Sequence, residues 1–261
     1  MAETTILERT LAGLEAGLHV RDIATYDPVS CMVHDLVAEV WAQPGRDTFD
    51  AMPVKDDGRV VGLLERPSCS LQGTARDRMR ILDDSILVSA DLPLGQFIPL
   101  AGGRSSRLVV TNDGINAIVT PSDLSKLPVR IFIFTLITHL ESLMADLIEK
   151  RCENDANWLS RLSPGRQRNV RATYDELHAQ QMERTLLDCT YFCDKSRVVC
   201  KLCDWSNKLE DQFKEIEKLR NAVAHSGNYL NGAERLAKML KTITLTEHWI
   251  HELACQIKLT V

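Results

Sequence analysis

Two residues near the end of the chain could do chemistry together. They lie in the string Glu217-Lys218-Leu219-Arg220-Asn221-Ala222-Val223-Ala224-His225. Histidine is the side chain whose unperturbed pKa lies near neutrality, so His225 can move protons. Arg220 supplies fixed cationic donors for phosphate oxygens, and Asn221 can orient either an oxygen or the imidazole. An Arg followed five places later by a His is weak by itself. At 100° per residue the two lie about 140° apart on an ideal helix, whereas Asn221 and His225 share a face. Arg220 must therefore reach round, or the helix end must distort. A structural alternative stands beside this. Arg220 could pair with Glu217 or Glu215, and His225 could complement a helix C-terminus.

A second constellation is Thr120-Pro121-Ser122-Asp123-Leu124, and a third is the bunching of Cys189, Cys193, Cys200 and Cys203, the last two as CxxC. Zinc must be weighed there. The surroundings, Leu186 to Trp205, contain neither Gly nor Pro and look helical, so core thiols are the expectation and a metal site the alternative. No metal is expected at the other candidate residues.

These groups need a scaffold, and composition divides the 261 residues in two. Residues 1–128 hold 10 of the 13 Gly and 8 of the 9 Pro but only 4 of the 14 aromatics. They carry 12 basic and 18 acidic residues, against 19 and 18 in residues 129–261. Turns, and so strands, should crowd the first part, and the second should be helical. The net charge of −5 argues against a protein that coats DNA, but not against a local RNA site. Residues 1–19 lack the apolar core of a signal peptide. The run Ile131–Leu140 is too short to span a bilayer. A cytoplasmic protein with no membrane partner is expected.

The first part reads as a duplication. One copy runs from Val20-Arg21-Asp22-Ile23 through Val29–Met32, an amphipathic His34–Trp41 and Met52-Pro53-Val54. It ends at the turn Lys55-Asp56-Asp57-Gly58 and the strand Val60–Leu64. Asp-Gly between apolar runs signals a hairpin. The other copy runs from Asp77-Arg78-Met79 through Ser85–Val88, Leu94–Leu100, Leu108–Val110, Thr111-Asn112-Asp113-Gly114 and Ala117–Thr120 to Leu124. Residues 20–128 resemble a tandem pair of CBS domains, a Bateman module, each of β-α-β-β-α order. The family's Gly-hydrophobic-hydrophobic-Thr-x-x-Asp-Leu ending is matched by Thr120, Asp123 and Leu124, with Ala117 in the Gly position. The first copy keeps Gly62 but has Glu65 and Ser68 in the Thr and Asp positions. The resemblance implies an adenine nucleotide (AMP, ADP or ATP-like) as regulatory ligand, with Asp123 on the ribose and Thr120 on a phosphate. The first-copy cleft would be empty or altered. In the plainer reading Thr120 caps the next helix and Asp123 is solvated.

After Leu127-Pro128 the apolar spacing becomes helical. Ile133, Leu136, Ile137, Leu140, Leu143, Met144, Leu147 and Ile148 form one stripe. Further helices are predicted over Val170–Leu187, through the cysteine cluster, over Ser206–His225 and over Gly232–Leu259, with Gly227 ending the fourth. The loop Arg161–Arg168 with Arg171 is a candidate RNA grip or a solvated charge run. Residues 129–261 resemble the HEPN domains, on the strength of Leu-Arg-Asn-x-Val-Ala-His together with His139-Leu140-Glu141 upstream. That resemblance implies a helical bundle and a metal-independent endoribonuclease with Arg220, Asn221 and His225 as its site. Glu141 would be the acidic residue of the first family helix. It also implies a homodimer, RNA as substrate, 2′,3′-cyclic phosphate ends and no catalytic cofactor, and leaves open an antitoxin protein as a further partner. The expected architecture is thus α+β and two-domain: residues 1–19 as a leading segment, 20–128 as the CBS pair, 129–261 as the helical bundle. A regulated ribonuclease acting as a toxin or defence effector is one functional expectation. A non-catalytic nucleotide sensor with a helical dimerisation domain is the other.

Overall fold

The computed structural model describes residues 9, 12–13, 16–66, 71–103, 106–205, 207–225, 230 and 232–259. It forms two compact units, one mainly of residues 12–132 and one mainly of 133–229 with 238–261.

The first unit holds two four-stranded sheets. In one, β2 (Cys31–Met32), β3 (Ala51–Asp56), β4 (Arg59–Glu65) and β5 (Arg80–Ile81) lie in that order. In the other the order is β1 (Thr25–Tyr26), β8 (Gly114–Val119), β7 (Arg107–Thr111), β6 (Leu87–Ser89). Each sheet pairs its first long strand in parallel with a short one, β2 with β3 and β6 with β7. A parallel pair needs a crossover, and α1 (Val37–Ala42) and α3 (Leu94–Leu100) supply it, with the single-turn α2 (Ala75–Arg78) between them in the chain. An antiparallel hairpin follows in both copies, each with a register shift at the equivalent place, Val54/Lys55 and Val109/Val110. The first hairpin turns at Asp57 and Gly58, both at positive φ (46° and 78°). That is the backbone a two-residue type I′ turn requires, and Asp-Gly supplies it at low cost.

The fourth strand of each sheet comes from outside its own hairpin. β5 pairs with β4 (Gly62 with Ile81), and β1 pairs with β8 (Thr25 with Ile118). The segments leading into these strands match as well. His19 bridges to Pro93, and Thr74 bridges to Leu36. The segment ahead of each copy therefore completes the other copy's sheet. The pairing reaches back to Leu18, whose carbonyl accepts from the Leu94 amide. Leu64 packs with Val33, Val37, Val40, Trp41 and Val54, while its neighbour Leu63 packs with Ile86, Leu108 and Ile118. Both faces of β4 are thus buried, the alternation expected of a strand between two cores.

The helical unit comprises most of α4 (Leu127–Arg151), then α5 (Asp155–Leu159), α6 (Pro164–Ala179), α7 (Phe192–Leu202), α8 (Asn207–Ala224) and α9 (Ala233–Leu259). Pro128 lies in the first turn of α4, where a missing N–H costs nothing, and the division between units falls at Phe132/Ile133. Two expectations are corrected. α4 is long and apolar enough, by length and composition, to cross a bilayer, so the shorter run Ile131–Leu140 understated it. Its Ile133, Leu136, Ile137, Leu140, Met144, Leu147 and Ile148 are buried in the protein. The helix predicted over Val170–Leu187 is instead α6. Ser163 caps it by accepting the Arg166 amide, Pro164 opens it, and Gln181 at φ 56° lies just past its end. Five of the eight residues of the expected Arg161–Arg168 loop are therefore helix. Gly227 and Ser68 lie outside the described residues.

Candidate functional site

Glu141 on α4 and Arg220 on α8, 79 residues apart, meet through Arg220 Nη1 and Glu141 Oε2 at 3.1 Å. Arg220 does not pair with Glu217 or Glu215; Glu215 is taken by Lys218 and Lys238, which hold its carboxyl below the usual range. Arg220 Nη2 lies 3.5 Å from Asn221 Oδ1, and the guanidinium sits 5.8 Å from the centre of the Phe192 ring. His225 is exposed and is the first residue after α8. Glu141, Arg220 and Asn221 are thus in one cluster, with His225 one turn further along the same chain segment.

Sequence reasoning missed Lys195. Its Nζ donates to the other Glu141 oxygen, Oε1, at 3.0 Å and to the Thr190 carbonyl at 3.1 Å. On α7 the residues Phe192, Lys195, Ser196 and Val199 are all buried and share a face. The spacing of Lys195 from Phe192 and Val199 is the one trace in the sequence, and the polar neighbours Asp194, Ser196 and Arg197 mask it. Its neighbour Asp194, wholly buried, accepts from Arg166 Nε at 3.0 Å and Nη2 at 2.6 Å, and from the Tyr191 amide at 3.0 Å. The side-chain bond to Asp194 raises the Arg166 pKa. Arg166 also lies over the Tyr191 ring, 4.7 Å from its centre. It is a fastening between α6 and α7, which removes it from the expected RNA grip. Arg161 is likewise engaged, donating to the Asn157 carbonyl. Arg168 and Arg171 are exposed.

Among the described residues no group of three His, Cys, Asp or Glu side chains is placed to hold a metal ion. Cys200 lies buried in α7, and desolvation pushes its thiol up to about 12. Burial also raises Cys189, Cys193 and Cys203.

In the sheet unit, Thr120 precedes a single 3-10 turn, Pro121–Ser125. Asp123 Oδ2 accepts the Thr120 amide at 2.6 Å and its hydroxyl at 3.0 Å. Asp123 is not solvated, being 5% exposed. Its Oδ1 is paired with Lys126 Nζ at 2.7 Å, and that ammonium also donates to the Ile23 carbonyl at 2.6 Å. The same device recurs where Asp77 accepts the amide and hydroxyl of Thr74, holding its carboxyl below the usual range, and where Asp22 accepts the His19 amide. In the first copy Glu65 faces Arg80 at 3.5 Å. Gly62 is required there, since a Cβ would stand 2.5 Å from the Arg80 carbonyl oxygen. Ala117, at the equivalent place in β8, lies opposite Tyr26 of β1.

No protein-family model matches the chain, and no curated protein matches it. Solved structures do. The CBS domain of a bacterial CNNM/CorC-family Mg2+ transporter in complex with ATP matches at 17% identity, over 45% of this chain and 91% of that one, with a TM-score of 0.36. A CBS domain protein of Thermoplasma acidophilum matches at 20% identity over 46% and 77%, also at 0.36. A CBS domain pair in complex with 5-methylthioadenosine and S-adenosyl-L-methionine matches at 21% over 42% and 98%, again at 0.36.

Proposed function

We propose that the chain is a metal-independent endoribonuclease of the HEPN type, acting as a homodimer and regulated by an adenine nucleotide at its CBS-like half. The observation that carries the reading is the Glu141–Arg220 bridge, which joins the two residues named by the resemblance from different helices. In the reaction the RNA 2′-oxygen attacks phosphorus and loses its proton, while the bond to the 5′-oxygen breaks and that oxygen gains a proton. His225 carries these protons, Arg220 meets the negative charge on the phosphorane, and Asn221 orients it. The product is a 2′,3′-cyclic phosphate and a 5′-hydroxyl. One copy offers one His225, so two copies facing one cleft supply both acid and base. Thr120 and Asp123 take the phosphate and ribose of the regulatory ligand. A toxin or defence role belongs to the same reading, which leaves open an antitoxin as a further partner.

The test is cleavage of mixed RNA by the full chain in the presence of a chelator, beside His225→Ala. Chelator-resistant cleavage that the substitution abolishes supports the reading. Activity that survives the substitution, or that the chelator alone removes, overturns it.

A second reading, a non-catalytic adenine-nucleotide sensor, is favoured by the place of His225, exposed and one turn beyond the Glu141–Arg220–Asn221 cluster. It expects no RNA cleavage under any nucleotide condition, and ligand-dependent thermal stabilisation that Asp123→Ala removes.

A further inference from the structure

We propose that Lys195 is a positioning residue for Arg220, acting through Glu141 to leave the guanidinium free for an RNA phosphate. The nature of the anion rests on the ribonuclease reading above; the geometry does not. An arginine beside a carboxylate tends to close on both oxygens as a fork, which spends its donors and cancels its charge. Here Lys195 occupies Glu141 Oε1, and Arg220 is left with Oε2 alone, reached by Nη1 only. Arg220 is thereby aimed by one contact while its remaining N–H groups are not committed to Glu141.

Charge points the same way. Glu141 with Arg220 alone is a neutral pair, which has no long-range pull on a phosphate. Lys195 makes the trio net +1, while the adjacent Asp194 and Arg166 cancel each other. The lysine side chain is 9% exposed. Burying an ammonium is costly unless it is well paired. Lys195 does not reach solvent as a ligand would, and its effect is transmitted through Glu141.

The experiment uses the full chain and two fluorescein-labelled RNAs, one cleavable and one with 2′-O-methyl riboses, which binds but cannot react. Lys195→Met lets Arg220 close on both Glu141 oxygens, so affinity for the methylated RNA falls, and KM for the cleavable RNA rises, about tenfold. Lys195→Arg restores most of both. Glu141→Gln has the opposite signature: KM does not rise, because an anion has been removed, but kcat falls as Arg220 loses its aim. A merely structural network would move all three variants in one direction, so that result overturns the inference. So does Lys195→Met binding RNA as the unmodified protein does while Arg220→Met binds it less. Should Lys195→Met fail to fold, Glu141→Gln decides, and a rise in KM equal to that of Arg220→Met overturns the proposal. Binding effects as expected, with no cleavage by the unmodified protein, refute the ribonuclease reading alone. No RNA binding by the unmodified protein refutes both.

Discussion

Asp123 and Lys126 form a 2.7 Å ion pair whose ammonium is also fixed to the Ile23 carbonyl. With Oδ2 already accepting twice from Thr120, the carboxylate has its hydrogen-bonding capacity largely filled from within the chain. A ribose that uses Asp123 must displace the lysine. Lys126→Met therefore should bind AMP, ADP or ATP at least about threefold more tightly than the unmodified protein. Asp123→Asn should bind none of them. Titration calorimetry checks both. A weaker complex with Lys126→Met would instead make the lysine a contact of the ligand phosphate.

The Arg166–Asp194 pair is a fastening between α6 and α7, and its aspartate is wholly buried. Removing one partner of such a pair leaves an uncompensated charge, whereas removing both does not. Arg166→Met should cost about 3 kcal/mol in urea unfolding. The double change Arg166→Met with Asp194→Asn should cost less than Arg166→Met alone. The two single substitutions adding without any coupling would show that the bidentate contact contributes nothing.

Gly62 and Ala117 occupy equivalent places in β4 and β8, yet only one tolerates a side chain. A Cβ on Gly62 would meet the Arg80 carbonyl at 2.5 Å and the Met79 sulfur at 2.8 Å. Gly62→Ala should cost about 1–3 kcal/mol, the usual penalty of overpacking. Ala117→Gly should cost less, about 1 kcal/mol, from lost burial and added chain entropy. Thermal melts of the two variants rank them.

What could be read from residue types tracks how much local physics each element contains. Asp57-Gly58 dictates its own turn, and the apolar stripe from Ile133 to Ile148 announces a buried helix. The exchange of β1 and β5 between the two sheets left no such trace. Each is two residues long, and both residues of β1 are exposed, so neither shows an alternating pattern. α6 was missed at its start because a polar, arginine-rich run hid the Ser163-Pro164 signal. The Glu141–Arg220 contact was expected only through resemblance, since nothing in spacing connects residues 79 positions apart. A single lysine is solvent-facing by default, so the inward spacing of Lys195 is a faint signal, and for Lys126 only the tertiary contacts with Asp123 and the Ile23 carbonyl show otherwise.

The thiol of Cys200 gives a pH-dependent test of the helical core. Burial lifts its pKa from 9.0 to about 12, so the native state holds the neutral thiol while the unfolded chain ionises. Iodoacetamide should therefore label Cys200 far more slowly in the native protein than in urea, as peptide mass spectrometry would show. The sign of the linkage follows. This group's contribution to stability is fully present below about pH 9 and is lost as pH rises from there towards 12. Cys200→Ala should accordingly unfold with a shallower loss of stability between pH 9 and pH 10.5. An identical pH slope in the variant would show that the thiol is not held neutral by the core.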